Sequence, residues 1–76
     1  MVQVRLSQML AGQSGQVAEL KGQADICQRL LEMGITRGIT LEVVRFAPLG
    51  DPIDIKLRGY HLSLRRKEAE AILIQT

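Results

Sequence analysis

The sequence predicts a mostly β domain with short helices, folded as a small barrel, and three observations carry that expectation. Apolar residues make up 46% of the 76, yet only Phe46 and Tyr60 are aromatic, so the core has to be aliphatic. Apolar and polar residues alternate strictly from Ile53 to Leu57 and again from Tyr60 to Arg65, around Arg58-Gly59, which is the pattern of two half-buried strands and a tight turn. One stretch, Asp25 to Met33, has the periodicity of a full helix.

The chain is long enough for one domain, residues 1–76, and too short for two. Eleven leucines, seven isoleucines and five valines exclude the composition of a disordered chain. The net charge of +2 is spread evenly, with four basic and three acidic groups in residues 1–38 and six and five in residues 39–76. Interleaved charges give a weak field, and the one basic run, Arg65-Arg66-Lys67, is followed at once by Glu68 and Glu70. With almost no aromatic platform besides, no nucleic-acid partner is expected. Cys27 stands alone, so no disulfide forms within the chain. The longest apolar run, Ala71–Ile74, falls far short of the roughly 20 residues a membrane helix needs, so no direct membrane insertion is expected and a cytoplasmic location is.

In order along the chain, Leu6–Leu10 reads as one helical turn with Ser7 as its cap and Gly12 as its stop. A short strand follows over Gln16–Leu20 and is broken by Lys21-Gly22. The main helix, about 25–33, starts at Asp25, whose carboxylate suits both a cap and the positive end of the helix dipole. Ile26, Cys27, Leu30, Leu31 and Met33 give it a broad apolar face, with Gln28, Arg29 and Glu32 outward, and Gly34 suits the left-handed residue that ends a helix.

From Ile39 the period changes to that of a strand, and the apolar phase switches at Val43-Val44, as a β-bulge would make it. After the turn-forming segment 47–52 comes the hairpin. A two-residue turn at Arg58-Gly59 pairs Leu57 with Tyr60, Ile55 with Leu62 and Ile53 with Leu64, so all six share one face. A helical turn over 66–70 and a closing strand over 71–75 complete five strands and one real helix, expected as a closed barrel without free edges.

No catalytic constellation emerges, and neither a resident metal nor a cofactor is expected. A Cys27–His61 nucleophile pair is conceivable, but a cysteine on an apolar helix face is usually an inert buried thiol and His61 falls on a wet strand face. Asp51 and Asp54 flank a proline turn, but two carboxylates fall short of a cation's ligand set. The segment 47–53 stands out because Leu49 and Ile53 put aliphatic groups on either side of Gly50-Asp51-Pro52. Either both fold back as a lid on the barrel or both form a docking patch.

The block Val43-Val44-Arg45-Phe46-Ala47-Pro48-Leu49-Gly50-Asp51-Pro52-Ile53 resembles the core of the ferrous iron transport protein A (FeoA) family. So do Arg29-Leu30-Leu31-Glu32-Met33-Gly34-Ile35 with the following Gly38, and Leu62-Ser63-Leu64-Arg65-Arg66-Lys67-Glu68-Ala69. The resemblance runs from Leu6 to Ile74. It departs at Arg37, where the family often has proline, and at Phe46, where a smaller aliphatic residue is common. It implies an SH3-like small β-barrel and a non-enzymatic accessory of the ferrous iron permease (FeoB), a membrane protein with a cytosolic G-protein domain. The expected contact surface is Leu49, Asp51, Pro52 and Ile53, bordered by Gln28, Arg29 and Glu32. The alternatives are a stimulator of GTP hydrolysis on that partner, with Arg45, Arg58 and Arg65 as available arginines, and an interaction domain like the C-terminal domain of iron-dependent repressors. A homodimer through barrel edges is also compatible with the sequence.

Overall fold

The computed structural model describes residues 2–76 and is built on one six-stranded antiparallel sheet. The strands are β1 (Gln3–Arg5), β2 (Ser14–Leu20), β3 (Thr40–Phe46), β4 (Ile53–Leu57), β5 (Tyr60–Leu64) and β6 (Ile72–Gln75). A 3-10 turn occupies Leu6–Gln8, and the helices are α1 (Ala24–Glu32) and α2 (Arg66–Ala69). The strand order in the sheet is β1-β6-β2-β3-β4-β5, coiled around a core of Leu6, Val17, Leu30, Ile35, Leu41, Val43, Ile55, Leu64, Ile72 and Ile74 among others. Among the described residues β1 and β5 do not pair, so the barrel is open between them. Two free edges therefore replace the closed ring expected from sequence.

The hairpin has the register that its alternation dictates, Leu57↔Tyr60, Ile55↔Leu62 and Ile53↔Leu64. Arg58 (φ 49°) and Gly59 (φ 82°) both take the left-handed region, as a two-residue turn matched to strand twist requires. The phase switch in β3 is a bulge between Val43 and Arg45. It leaves Val43 fully buried and Val44 37% exposed. A second bulge, in β2 between Val17 and Glu19, has no phase signal because Ala18 is small enough to suit either face.

Several boundaries differ from the sequence reading. β1 is not foreseen as a strand: three residues carry too little pattern, and its pairing with β6 (Val4↔Ile74) links opposite ends of the chain. β2 begins two residues before the expected Gln16. The 3-10 turn is capped at Arg5 rather than Ser7, with the Arg5 N–H donating to Gln8 Oε1 at 3.0 Å. Helix α1 starts at Ala24 with Gln23 in the cap position, and Asp25 contributes a charge to the first turn rather than a cap bond. Leu31 lies outside the core at 50% exposure, because a helix resting on so small a sheet buries only the narrow stripe centred on Leu30.

Candidate docking site

The segment between β3 and β4 is a tight loop that bonds to itself. Ala47 N–H donates to the Pro52 carbonyl at 3.0 Å and Gly50 N–H to the Ala47 carbonyl at 2.7 Å, and the Asp51-Pro52 peptide is cis. Asp51 Oδ1 accepts the Arg66 backbone N–H at 3.1 Å, which fixes the loop to the first residue of α2. Thus held, the loop presents Leu49 to solvent at 94% exposure. Ile53, expected beside it on the contact surface, begins β4 and is 1% exposed. The cause is the hairpin register: Ile53 is opposite Leu64, on the inward face. Neither symmetric reading of the loop holds, since Leu49 points out and Ile53 points in.

On α1, Gln28, Arg29 and Glu32 are all exposed. Arg29 Nη2 lies 3.3 Å from Glu68 Oε2, so α1 and α2 are joined by a charge contact. Glu68 itself is buried, with Oε1 accepting the Arg65 N–H at 2.9 Å. Among the described residues no donor is aligned for a hydrogen bond to Oε2, and its charge is met by the Arg29 guanidinium. The single turn of α2 therefore holds the Asp51 loop through Arg66 and the outward face of α1 through Glu68. Gln28 and Glu32 make no bond to the loop. They line a shallow apolar depression with Ala24, Cys27 and Leu31. Cys27 is half-buried there rather than sealed in the core as expected. Sequence reasoning misses this depression and the outward place of Leu31. The signal is an apolar face of five residues in eight, wider than one small sheet covers.

A polar row crosses the outer sheet face. Asp54 accepts from Arg45 Nε at 2.9 Å and from Ser63 Oγ at 2.7 Å. Those bonds, the Ser63 hydroxyl first and the Arg45 guanidinium second, hold its carboxyl below the usual carboxylate range. Arg45 is thereby engaged within the sheet, and His61 is exposed on the same face. Among the described residues no three His, Cys, Asp or Glu side chains come together to hold a metal ion, and no helix is long and apolar enough to cross a membrane. The surface thus combines an apolar tip on a fixed loop, a charged helix face and a shallow depression.

Residues 4–76 match the model of the FeoA domain. The chain belongs to the FeoA family. It is 36% identical over 72 residues, 95% of its length, to an Fe(2+) transport protein A/Fe(2+) transporter FeoB fusion protein of Porphyromonas gingivalis. The matched segment is only 8% of that relative, which carries FeoA and FeoB in one polypeptide. A FeoA-like protein from Clostridium acetobutylicum, solved by NMR, superposes with a TM-score of 0.93 at 33% identity, covering 100% of this chain and 88% of that one. The FeoA of Stenotrophomonas maltophilia complexed with zinc, called an SH3 domain protein, superposes at 0.77 with 26% identity, covering 92% and 87%. The SH3-like barrel expected from the FeoA resemblance is the fold observed.

Proposed function

We propose that this FeoA domain is a non-enzymatic accessory of ferrous iron transport that docks from the cytosol on the FeoB permease and regulates or assembles it. The observation that carries the reading is the relative in which a domain 36% identical to this chain is fused to FeoB. Fusion keeps the two parts at a high effective concentration, which is useful only if they act on one another. The surface offered for docking is Leu49 with Asp51 and Pro52 on the loop and Gln28, Arg29 and Glu32 on α1, spanned by α2. Leu49 suits an apolar anchor because its side chain is free to enter a pocket while the loop beneath it is already ordered.

Titration calorimetry against the isolated cytosolic domain of FeoB, with GDP and then with a non-hydrolysable GTP analogue, tests the proposal. Binding in either state supports it. Unequal affinities identify a nucleotide-linked regulator, because a ligand shifts an equilibrium only through differential affinity, and equal affinities identify an assembly factor. Absence of binding in both states overturns docking on that domain.

A further inference from the structure

The open barrel leaves β5 as a terminal strand, and its free edge is unusual in having no guard. Natural edges are commonly blunted by charge, proline, a bulge or shortness. β1, the other terminal strand, has three residues and carries Arg5. β5 has five, Tyr60-His61-Leu62-Ser63-Leu64, with no formally charged residue at neutral pH, no proline, and an unbroken register against β4. In a two-residue hairpin Leu57 and Tyr60 form the hydrogen-bonded closing pair, and bonding alternates from there. Tyr60, Leu62 and Leu64 thus face β4 with their backbone groups, whereas the N–H and C=O of His61 and Ser63 point away from the sheet. The apolar face also thins out at this strand. In β4 the inward positions are sealed, with Ile55 at 0% and Leu57 at 2% exposure, but Tyr60 opposite Leu57 is 41% exposed and Leu62 opposite Ile55 is half-buried.

We propose that this edge joins two copies of the chain, β5 to β5, antiparallel about a two-fold axis at Leu62. The register follows from the backbone. His61 opposes the partner's Ser63 and Ser63 opposes the partner's His61, so the four outward groups of each strand meet in two doubly bonded pairs. Leu62 meets its own copy in the close, non-hydrogen-bonded position between them, which covers its half-exposed side chain. Side chains agree with the same register. The outer polar row Glu42-Lys56-His61 of one copy continues into the partner's Ser63, Asp54 and Arg45, so polar side chains meet polar ones across the seam. The inner apolar row Leu41-Leu57-Tyr60 continues into the partner's Leu64 and Ile53. A second copy satisfies the edge with matching groups on both faces at once, which favours it over an unrelated strand.

Sedimentation velocity of the whole chain up to about 1 mM, combined with concentration-dependent amide exchange, tests this. The expected result is a species of twice the 8.4 kDa chain mass whose formation protects the His61 and Ser63 amides. His61→Pro removes an outward N–H that the sheet does not use, deleting two donors per dimer and raising the dissociation constant roughly 30-fold. His61→Asp keeps every backbone group and suits Lys56 across the hairpin, but brings the two introduced carboxylates to diagonal positions across the seam and weakens association. It decides the matter if the proline variant fails to fold. A chain that stays monomeric throughout overturns the proposal. So does a dimer that neither variant weakens, or an edge protected only by an extended segment of FeoB.

Discussion

The Tyr60 hydroxyl donates to the Met33 carbonyl at 3.1 Å, tying the first residue of β5 to the residue that ends α1. One residue further on, Gly34 takes φ +91°, and a Cβ built there would sit 2.8 Å from that same hydroxyl. The helix terminus is thus fixed by a bond and shaped by a close approach that both involve Tyr60.

Tyr60→Phe should therefore lower stability by about 1 kcal/mol, the net value of one partly exposed hydrogen bond. Gly34→Ala should cost about 1–2 kcal/mol from backbone strain and crowding together. In the double variant the crowding atom is gone and only the strain is left, so the two costs should fall short of additivity by about 0.5 kcal/mol or more. Urea unfolding of the four proteins measures this cycle, and strict additivity would show that the close approach carries no energy.

Glu68 supports a second prediction. Its Oε1 caps α2 through the Arg65 N–H, and its Oε2 meets Arg29. Glu68→Ala loses both and should cost about 1–2 kcal/mol. Arg29→Ala removes only a partner that is itself 69% exposed, so solvent screens the loss and the cost should stay below about 1 kcal/mol. Thermal unfolding ranks the two, and the reverse order would mean that the charge contact rather than the cap holds α2.

Acid should act on the outer polar row. The Asp54 carboxyl is depressed in the folded chain by Ser63 and Arg45, so in the window just below the ordinary carboxylate value the unfolded chain binds the extra proton. The contribution is present above that value and is lost as pH falls through it toward the folded one. Asp54→Asn should flatten the fall of unfolding free energy with acid between about pH 5 and pH 2. An unchanged acid limb would show that other carboxylates dominate it.

What is legible in the sequence follows the reach of each signal. The hairpin register is readable to the residue because period-2 alternation and a turn restricted to left-handed residues specify it twice over. The bulge at Val43 is readable for the same reason: an extra residue inverts the alternation. β1 is not, because three residues hold too little pattern and the partner lies some 70 positions away. The Arg29–Glu68 contact is equally hidden, as no local spacing links two separate helices. Helical periodicity places Leu31 inward and the folded chain places it outward. A helical wheel gives which residues share a face and not how wide a stripe the sheet covers.

Leu49 and Ile53 make the sharpest test, because they look alike in sequence and differ completely in place. Ile53 is sealed in the core opposite Leu64, so Ile53→Ala should cost about 2–5 kcal/mol through lost burial and the cavity left behind. Leu49 touches little at 94% exposure, so Leu49→Arg should change stability by no more than about 0.5 kcal/mol. If the loop is the docking anchor, the same Leu49→Arg should weaken binding to the FeoB cytosolic domain by roughly 30-fold or more, the range of a truncated hot spot. Unfolding and calorimetry on the same two variants separate the roles. A folded Leu49→Arg protein that binds as tightly as wild type would remove the loop from the docking surface and leave the α1 face to carry it.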